Sequence, residues 1–97
     1  MEKETRVAVI AAVIENEEAA GSINALLHAY AGFIIGRMGV PYREKGINVI
    51  TVVLDAPSDA ISALSGKLGR IRGVTSKVLY AKNKADPQES ERQERKD

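Results

Sequence analysis

The stretches TRVAVIAAVI (residues 5–14) and INVITVVL (residues 47–54) carry aliphatic side chains at odd and even positions alike. Successive side chains of a β-strand point to opposite faces of its sheet, so a strand of this composition has to be covered on both faces. Each stretch therefore predicts a central strand of a sheet with apolar groups on both sides. The apolar run at residues 7–14 is too short to span a bilayer as a helix.

A helix is predicted after each of these strands. In the first helix, Asn16 is a candidate N-cap, acidic residues follow it where the helix dipole favours them, and Gly32 is the expected C-terminal stop. His28, the single histidine, points roughly 150° away from the apolar stripe of this helix, so we expect it on the exposed side. The second helix is expected to have Asp55 or Ser58 as its cap. Its apolar side is formed by Ile61, Leu64, Leu68 and Ile71.

The segment FIIGRMGVPYR (residues 33–43) predicts an edge strand with a bulge. Its glycines, Gly36 and Gly39, weaken a strand, and Pro41 has no N–H to donate to a neighbour. The tripeptide EKG that follows predicts a tight connection in which Gly46 is free to adopt a positive φ. A fourth strand is expected over residues 74–80.

The order strand, helix, strand, strand, helix, strand predicts an α+β ferredoxin-like sandwich over residues 1–81. Its antiparallel four-stranded sheet has the order 4-1-3-2, and both helices cover one face. The other face of the central strands is left apolar, which predicts self-association as a homodimer or homotetramer. Residues 82–97, with Ala85 as their one apolar residue, predict a disordered charged tail.

Composition excludes several kinds of chemistry. The chain has no cysteine and one histidine, which rules out thiolate metal sites, thiol redox catalysis and a His-rich metal site in one subunit. We therefore expect no metal and no cofactor. The charged start, MEKE, is not a signal peptide, and we expect a cytoplasmic protein with no membrane contact.

Catalysis is not indicated by any motif. The segment SGKLG (residues 65–69) resembles a phosphate-binding loop, but Ile61 stands where that loop needs glycine and Leu68 where it needs serine or threonine. No paired carboxylates or serine–histidine pair occur at a catalytic spacing. We expect no catalytic residues, unless an active site is assembled between subunits.

Two segments, GRMGVPYR (36–43) and LSGKLGRIRGV (64–74), combine glycines with cations. Arginine offers forked donors to anions, and glycine lets a ligand approach the backbone. One interpretation is turn chemistry with solubilising cations. The other is a site for a small anionic effector or an acidic protein partner. The candidate effector or interface residues are Arg37, Gly39, Arg43, Ser65, Gly66, Lys67, Gly69 and Arg70.

These two segments also carry a family resemblance. With Leu26-Leu27-His28 ahead of them, RMGVPYRE and ALSGKLGRIRGV resemble the iron-only ([FeFe]) hydrogenase system regulators of anaerobic bacteria, and the similarity covers about residues 6–81. The resemblance implies a fold similar to the ACT domain and to the C-terminal domain of nickel-responsive repressors. Both are modules that assemble through sheets or edges and bind effectors between subunits. It therefore implies a non-enzymatic, ligand-sensing regulator.

The chain departs from both kinds of relative. It lacks the histidines and cysteine with which nickel repressors hold their metal, so nickel sensing is not implied. Glu15-Asn16 replaces the glycine that amino-acid-binding ACT domains commonly have after the first strand. No room precedes the first strand for a ribbon-helix-helix segment, so we expect DNA contact only with a separate DNA-binding protein.

Two alternatives to a ligand sensor remain open. One is a nucleic-acid-binding module that uses the basic segment 67–84, whose cations are Lys67, Arg70, Arg72, Lys77, Lys82 and Lys84. The lack of aromatic residues on the sheet argues against stacked RNA bases. The other alternative is a structural module that docks a partner.

Overall fold

The computed structural model describes residues 4–82 of the 97-residue chain, and these form one α+β sandwich. The elements are β1 (Arg6–Ile14), α1 (Ala20–Ala29), β2 (Ile34–Tyr42), β3 (Ile47–Ala56), α2 (Ser58–Arg70) and β4 (Val74–Tyr80). Short 3₁₀ turns occupy Glu17–Ala19, Ala31–Phe33 and Arg43–Lys45. The predicted ferredoxin-like class is confirmed. Of the predicted tail, all but Lys82 lies outside the described residues.

The four strands form an antiparallel sheet in the order β2-β3-β1-β4. This is the predicted order 4-1-3-2 read from the opposite edge. Val9 of β1 pairs with Val53 of β3 on one side and with Leu79 of β4 on the other. The two aliphatic strands are therefore central, as their composition predicts.

The hydrophobic core lies between one face of this sheet and the two helices. On β1 the even-numbered residues face the core, and Ile10 is completely buried there. Both helices contribute to the same cluster, α1 with Ile23 and Leu27 and α2 with three residues at helical spacing. The buried set is Ala8, Ile10, Ala12, Ile14, Ala19, Ile23, Leu27, Val52, Leu54, Ala56, Ile61, Leu64, Leu68 and Val74. Neither helix of the described part is long and apolar enough to cross a bilayer.

No helix of residues 4–82 covers the opposite face of the sheet, which we call the helix-free face. Residues that lie opposite one another in the strand register share a face, so the pairing Val9–Val53 defines its centre. Apolar side chains dominate it, and Val7 and Met38 are 41% and 61% exposed. Its members are Val7, Val9, Ala11, Val13, Gly36, Met38, Val40, Tyr42, Ile47, Val49, Thr51, Val53, Asp55, Thr75, Lys77 and Leu79.

The first helix begins as predicted but is shorter. Asn16 caps the first turn, with its Oδ1 accepting a hydrogen bond from the Glu18 N–H at 3.1 Å. That turn is 3₁₀, and the α-helix ends at Ala29 because Tyr30 leaves the helical conformation (φ −104°, ψ 15°). The chain then makes a second 3₁₀ turn through Gly32, so the α-helix ends ahead of the stop predicted at Gly32.

The predicted cap of the second helix was also wrong. Asp55 still belongs to β3, and Ser58 is already the first residue of α2. Pro57 occupies the cap position, without a side-chain cap. Its carbonyl accepts hydrogen bonds from the N–H groups of Ala60 and Ile61, at 3.0 and 3.1 Å. The strand therefore passes into the helix directly through a proline whose fixed φ suits a helix start.

Strand β2 is an irregular edge strand, as predicted. Its pairing with β3 shifts between Ile34 and Gly36, which is the bulge, and it is one residue shorter at each end than the predicted segment 33–43. Gly46 closes the turn into β3 with φ 65°, the left-handed conformation that its sequence context predicts. Pro41 belongs to this edge strand, the position in a sheet where proline is tolerated.

Gly73, which lies between α2 and β4, packs against the residues that follow β1. Its φ is 81°, and a Cβ atom added there would lie 2.6 Å from the Asn16 Cβ. The Glu15 N–H donates to the Gly73 carbonyl at 2.8 Å, and Asn16 Nδ2 donates to the Arg72 carbonyl at 3.2 Å. The close approach and the left-handed backbone both require glycine.

We predict that Gly73→Ala destabilises the protein by roughly 1–3 kcal/mol, because the new methyl group meets Asn16 and alanine disfavours positive φ. Gly66→Ala is the matched control. Gly66 lies mid-helix with no atom within 4 Å of an added Cβ, so this change should stabilise by about 0.5–1 kcal/mol. Urea unfolding at equal protein concentration measures both. Equal unfolding midpoints for the two variants would contradict the assignment.

Candidate functional site

The sequence-predicted site residues fall into two groups. Arg37 and Gly39 lie on β2, and Arg43 begins the turn after it. Ser65, Gly66, Lys67, Gly69 and Arg70 all lie on α2. Because α2 packs against β4, and β2 and β4 are opposite edges of the sheet, the two groups are separated within one chain. They could meet only across copies of the chain.

The α2 group fastens its helix to the edge strand β4. The Ser76 hydroxyl donates to the Ser65 carbonyl at 2.9 Å, and the two Oγ atoms lie 3.1 Å apart. An added Cβ on Gly69 would be 3.5 Å from Ser76 Oγ, an ordinary van der Waals distance, so this contact does not require glycine. Ser65 therefore has a structural explanation in the described residues, and Gly69 does not.

Lys67 connects the two helices. Its Nζ donates to the Tyr30 hydroxyl at 3.1 Å and lies 5.4 Å from the centre of the Tyr30 ring. The contact is exposed, so its contribution to stability is small. Gly66 and Arg70 are exposed on the same helix.

Of the β2 group, Gly39 lines a cavity of about 270 Å³ between the start of α1 and the β2–β3 edge, which we call the α1–β2 cavity. Arg37 and Arg43 line neighbouring depressions. The apolar wall of the cavity includes Ile14, Ile23 and Ile50. Polar side chains also line the cavity, namely Asn16, Glu17, Asn24 and Asn48. The full lining is Ile14, Asn16, Glu17, Ala20, Ile23, Asn24, Gly39, Val40, Pro41, Asn48, Val49 and Ile50.

Gly39 is a reason the cavity exists. It lies opposite Ile50 in the strand register and so belongs to the helix-covered face. An added Cβ there would meet no atom within 4 Å. On the helix side, the small residue Ala20 faces the same space. Glycine and alanine fill little space, so these two positions leave an opening between α1 and β2.

Asn48 is a half-buried polar residue in this region. It pairs with Ile14 in the strand register and lines the cavity. No residue between 4 and 82 hydrogen-bonds to its side-chain amide, which is therefore open to solvent. Sequence reasoning missed it, although an asparagine interrupting an aliphatic strand is a detectable signal.

Arg37 lies beside the cavity, on the same face of β2 as Gly39. Its Nη2 donates to Asn24 Oδ1 at 3.4 Å, a long hydrogen bond, and Asn24 lines the cavity. Within the described part of the chain the guanidinium has no carboxylate partner. Next to it, a shallower depression is bordered by Arg37 and His28. At the other end, a depression beside Arg43 shares Glu17 and Asn48 with the cavity.

Metal ligands do not converge in the described residues. Between residues 4 and 82, no group of three or more histidine, cysteine, aspartate or glutamate side chains could hold an ion. His28 is exposed on α1, as its helical position predicts. The chemistry offered by the α1–β2 cavity is therefore binding through apolar contact, amide hydrogen bonds and one guanidinium.

Comparison with known proteins agrees with the sequence resemblance. The TM1266-like family model, described as "Iron-only hydrogenase system regulator, putative", matches residues 6–78. The solved structure of the uncharacterized protein TM1266 from Thermotoga maritima is similar with a TM-score of 0.78 and 40% identity, over 81% of this chain and 100% of that chain. None of the curated proteins compared matches.

A distant structural likeness concerns the fold alone. A formyltetrahydrofolate deformylase from Pseudomonas putida KT2440 is similar with a TM-score of 0.58 and 12% identity. The match covers 78% of this chain and 29% of that chain. At this identity the likeness carries no information on activity.

We predict that Ser76→Ala destabilises the protein by about 0.5–1.5 kcal/mol, because the hydroxyl that links α2 to β4 is lost from a partly buried position. Ser22→Ala, at an exposed position of α1, is the control and should change stability by less than about 0.5 kcal/mol. Thermal unfolding of both variants tests this. If the two variants melt together, the serine pair does not fasten the helix.

Proposed function

The chain belongs to the TM1266-like family of iron-only hydrogenase system regulators, and on that premise we propose that it is a non-enzymatic, cytoplasmic regulatory module that works as a homo-oligomer. The module is proposed to sense a small effector. The family description supports a regulatory role rather than catalysis. The exposed apolar surface of the helix-free face is the observation that carries the proposal of self-assembly.

The apolar character of the helix-free face supports a protein partner there. Aliphatic residues form its centre, and its large members Leu79 and Met38 are 72% and 61% exposed in the single chain. Contiguous apolar surface of this kind marks interaction sites in soluble proteins. Covering this surface would stabilise an assembly by roughly 25 cal/mol for each Å² of apolar surface removed from water.

A second copy of the chain is the occupant that fits this face. A two-fold interface must be complementary to itself, and a flat layer of valines meets that requirement by stacking on another. The face has two charged members, and both lie away from its centre. Lys77 belongs to the edge strand β4, and Asp55 lies near the end of β3. Their opposite signs allow a copy to approach without burying two like charges against each other.

The effector proposed from the sequence is a small anion or an acidic partner. Arg37 and Arg43 lie at the two ends of the region between α1 and β2, and Arg70 lies across the chain on α2. Each is exposed and offers forked donors. In a single chain the β2 arginines are the ones close to a cavity, and this favours a small molecule over a protein partner.

The nucleic-acid alternative rests on the basic segment 67–84. Its described cations point to different surfaces: Lys67 contacts Tyr30 across the helices, whereas Lys77 belongs to the helix-free face. Lys84 lies outside the described residues. Salt-dependent retention on DNA, measured on the same preparations, would favour this alternative.

We predict that Val9→Asp and Val49→Asp each convert the assembled protein to monomer at micromolar concentrations. Both side chains belong to the helix-free face and are half-buried in the single chain, so the fold can persist while an unpaired charge prevents a copy from docking. Sedimentation velocity reports the assembly state, and circular dichroism reports the fold.

Ser62→Asp is the matched control for these charges. Ser62 is exposed on α2, so the same carboxylate there should leave the assembly state unchanged. A wild-type chain that stays monomeric over the same concentration range would contradict the proposal. So would an assembly that persists in both valine variants.

A further inference from the structure

We propose that the α1–β2 cavity binds a small amphipathic monoanion, with its apolar body between α1 and β2 and its charged group on Arg37. This inference names a site and a ligand class for the effector, and it therefore rests on the function proposed above. Four features of the described residues support the inference: the cavity, the absence of a side chain at Gly39, the solvent-accessible amide of Asn48 without a hydrogen-bond partner, and the Arg37 guanidinium beside the cavity.

The strand backbone at Gly39 does not need glycine. Its φ is not positive, and a Cβ there would extend into open space. Glycine in a strand weakens it, and one reason for such a residue is close approach by a ligand. A side chain at this position would point to the helix-covered face, opposite Ile50, and would occupy the cavity.

The cavity suits a ligand with an apolar body and few polar groups. Its volume of about 270 Å³ lies just below the roughly 300–1,000 Å³ of pockets for drug-sized molecules. Ile14, Ile23 and Ile50 provide apolar contact. Asn48 adds an amide with both a donor and an acceptor, half-buried and without a partner among residues 4–82.

Charge determines the orientation of the ligand. Arg37 is two residues from Gly39 on the same face of β2, hence about 7 Å away along the strand. Among residues 4–82 its fork is held only by the long hydrogen bond to Asn24, so it is available to a carboxylate or a similar anion. Glu17 lines the other end, about 10 Å from Asn24 along the helix axis, and disfavours a second negative group.

The experiment titrates the ¹⁵N-labelled full chain with hexanoate and phenylacetate, and with the uncharged analogues hexanamide and phenylacetamide. We expect saturable binding of at least one carboxylate, with shifts of the backbone amides of residue 39 and residues 48–50. The matching amide should bind at least about tenfold more weakly, since it carries no negative charge to form an ion pair with the guanidinium.

Two substitutions locate the ligand. Gly39→Val should lower carboxylate affinity at least about tenfold by filling the cavity, with the unfolding midpoint unchanged or raised. Ser62→Val, at an exposed position of α2 that does not line the cavity, should leave the affinity within about threefold. Arg37→Gln should weaken the carboxylate about tenfold while changing the affinity for the matching amide less than about twofold.

The proposal is overturned if neither carboxylate binds at millimolar concentration, if Gly39→Val binds like the wild type, or if Arg37→Gln weakens acid and amide equally. Sedimentation velocity on the same samples separates this outcome from failure of the proposed function. An assembled chain without carboxylate binding removes only the ligand site. A monomeric chain whose carboxylate binding follows the predicted variants retains the site and removes only the assembly.

Discussion

The packing of β1 against β3 is the constraint on which the rest of the structure depends. Their register sets Ile10 opposite Val52 on the core side and Val9 opposite Val53 on the other side. A shift of one residue would exchange the two faces, so burial on one side fixes the register of the pair. Both helices then have to cover the core side, since the strand–helix connections return to the same face. The helix-free face follows from this arrangement.

The two sides of the helical layer are connected to the sheet to different extents. On the β4 side, α2 is held by the Ser65–Ser76 hydrogen bonds, and Gly73 fits against Asn16. On the β2 side, the hydrogen bond between a helix and the strand is the long one from Arg37 to Asn24, and a cavity separates the layers. The less connected side is where a ligand can enter without breaking core contacts.

Much of this fold could be predicted because its signals are local. Two-faced aliphatic strands, a strand with Pro41 and a turn ending at Gly46 determine strand order and edges through short-range chemistry. The start of α2 could not be predicted, because Asp55 and Ser58 are good caps and only the continuation of β3 through Ala56 excludes them. Of the proposed site, Arg37 and Gly39 stand out in the sequence because both belong to the irregular strand segment. Asn48 interrupts an aliphatic strand, but its position beside α1 depends on tertiary packing, which no local pattern reports.

Strand β2 gives the cavity and the helix-free face a physical connection. Gly39 borders the cavity, while its neighbours Met38 and Val40 belong to the helix-free face, because side chains alternate along a strand. A ligand that fixes the position of β2 therefore acts on the surface proposed for self-assembly. Binding and assembly are then linked thermodynamically, and a ligand that prefers the assembled form strengthens assembly by the same factor by which assembly strengthens ligand binding. An edge strand with a bulge is suited to this role, since its position is determined by one neighbouring strand instead of two.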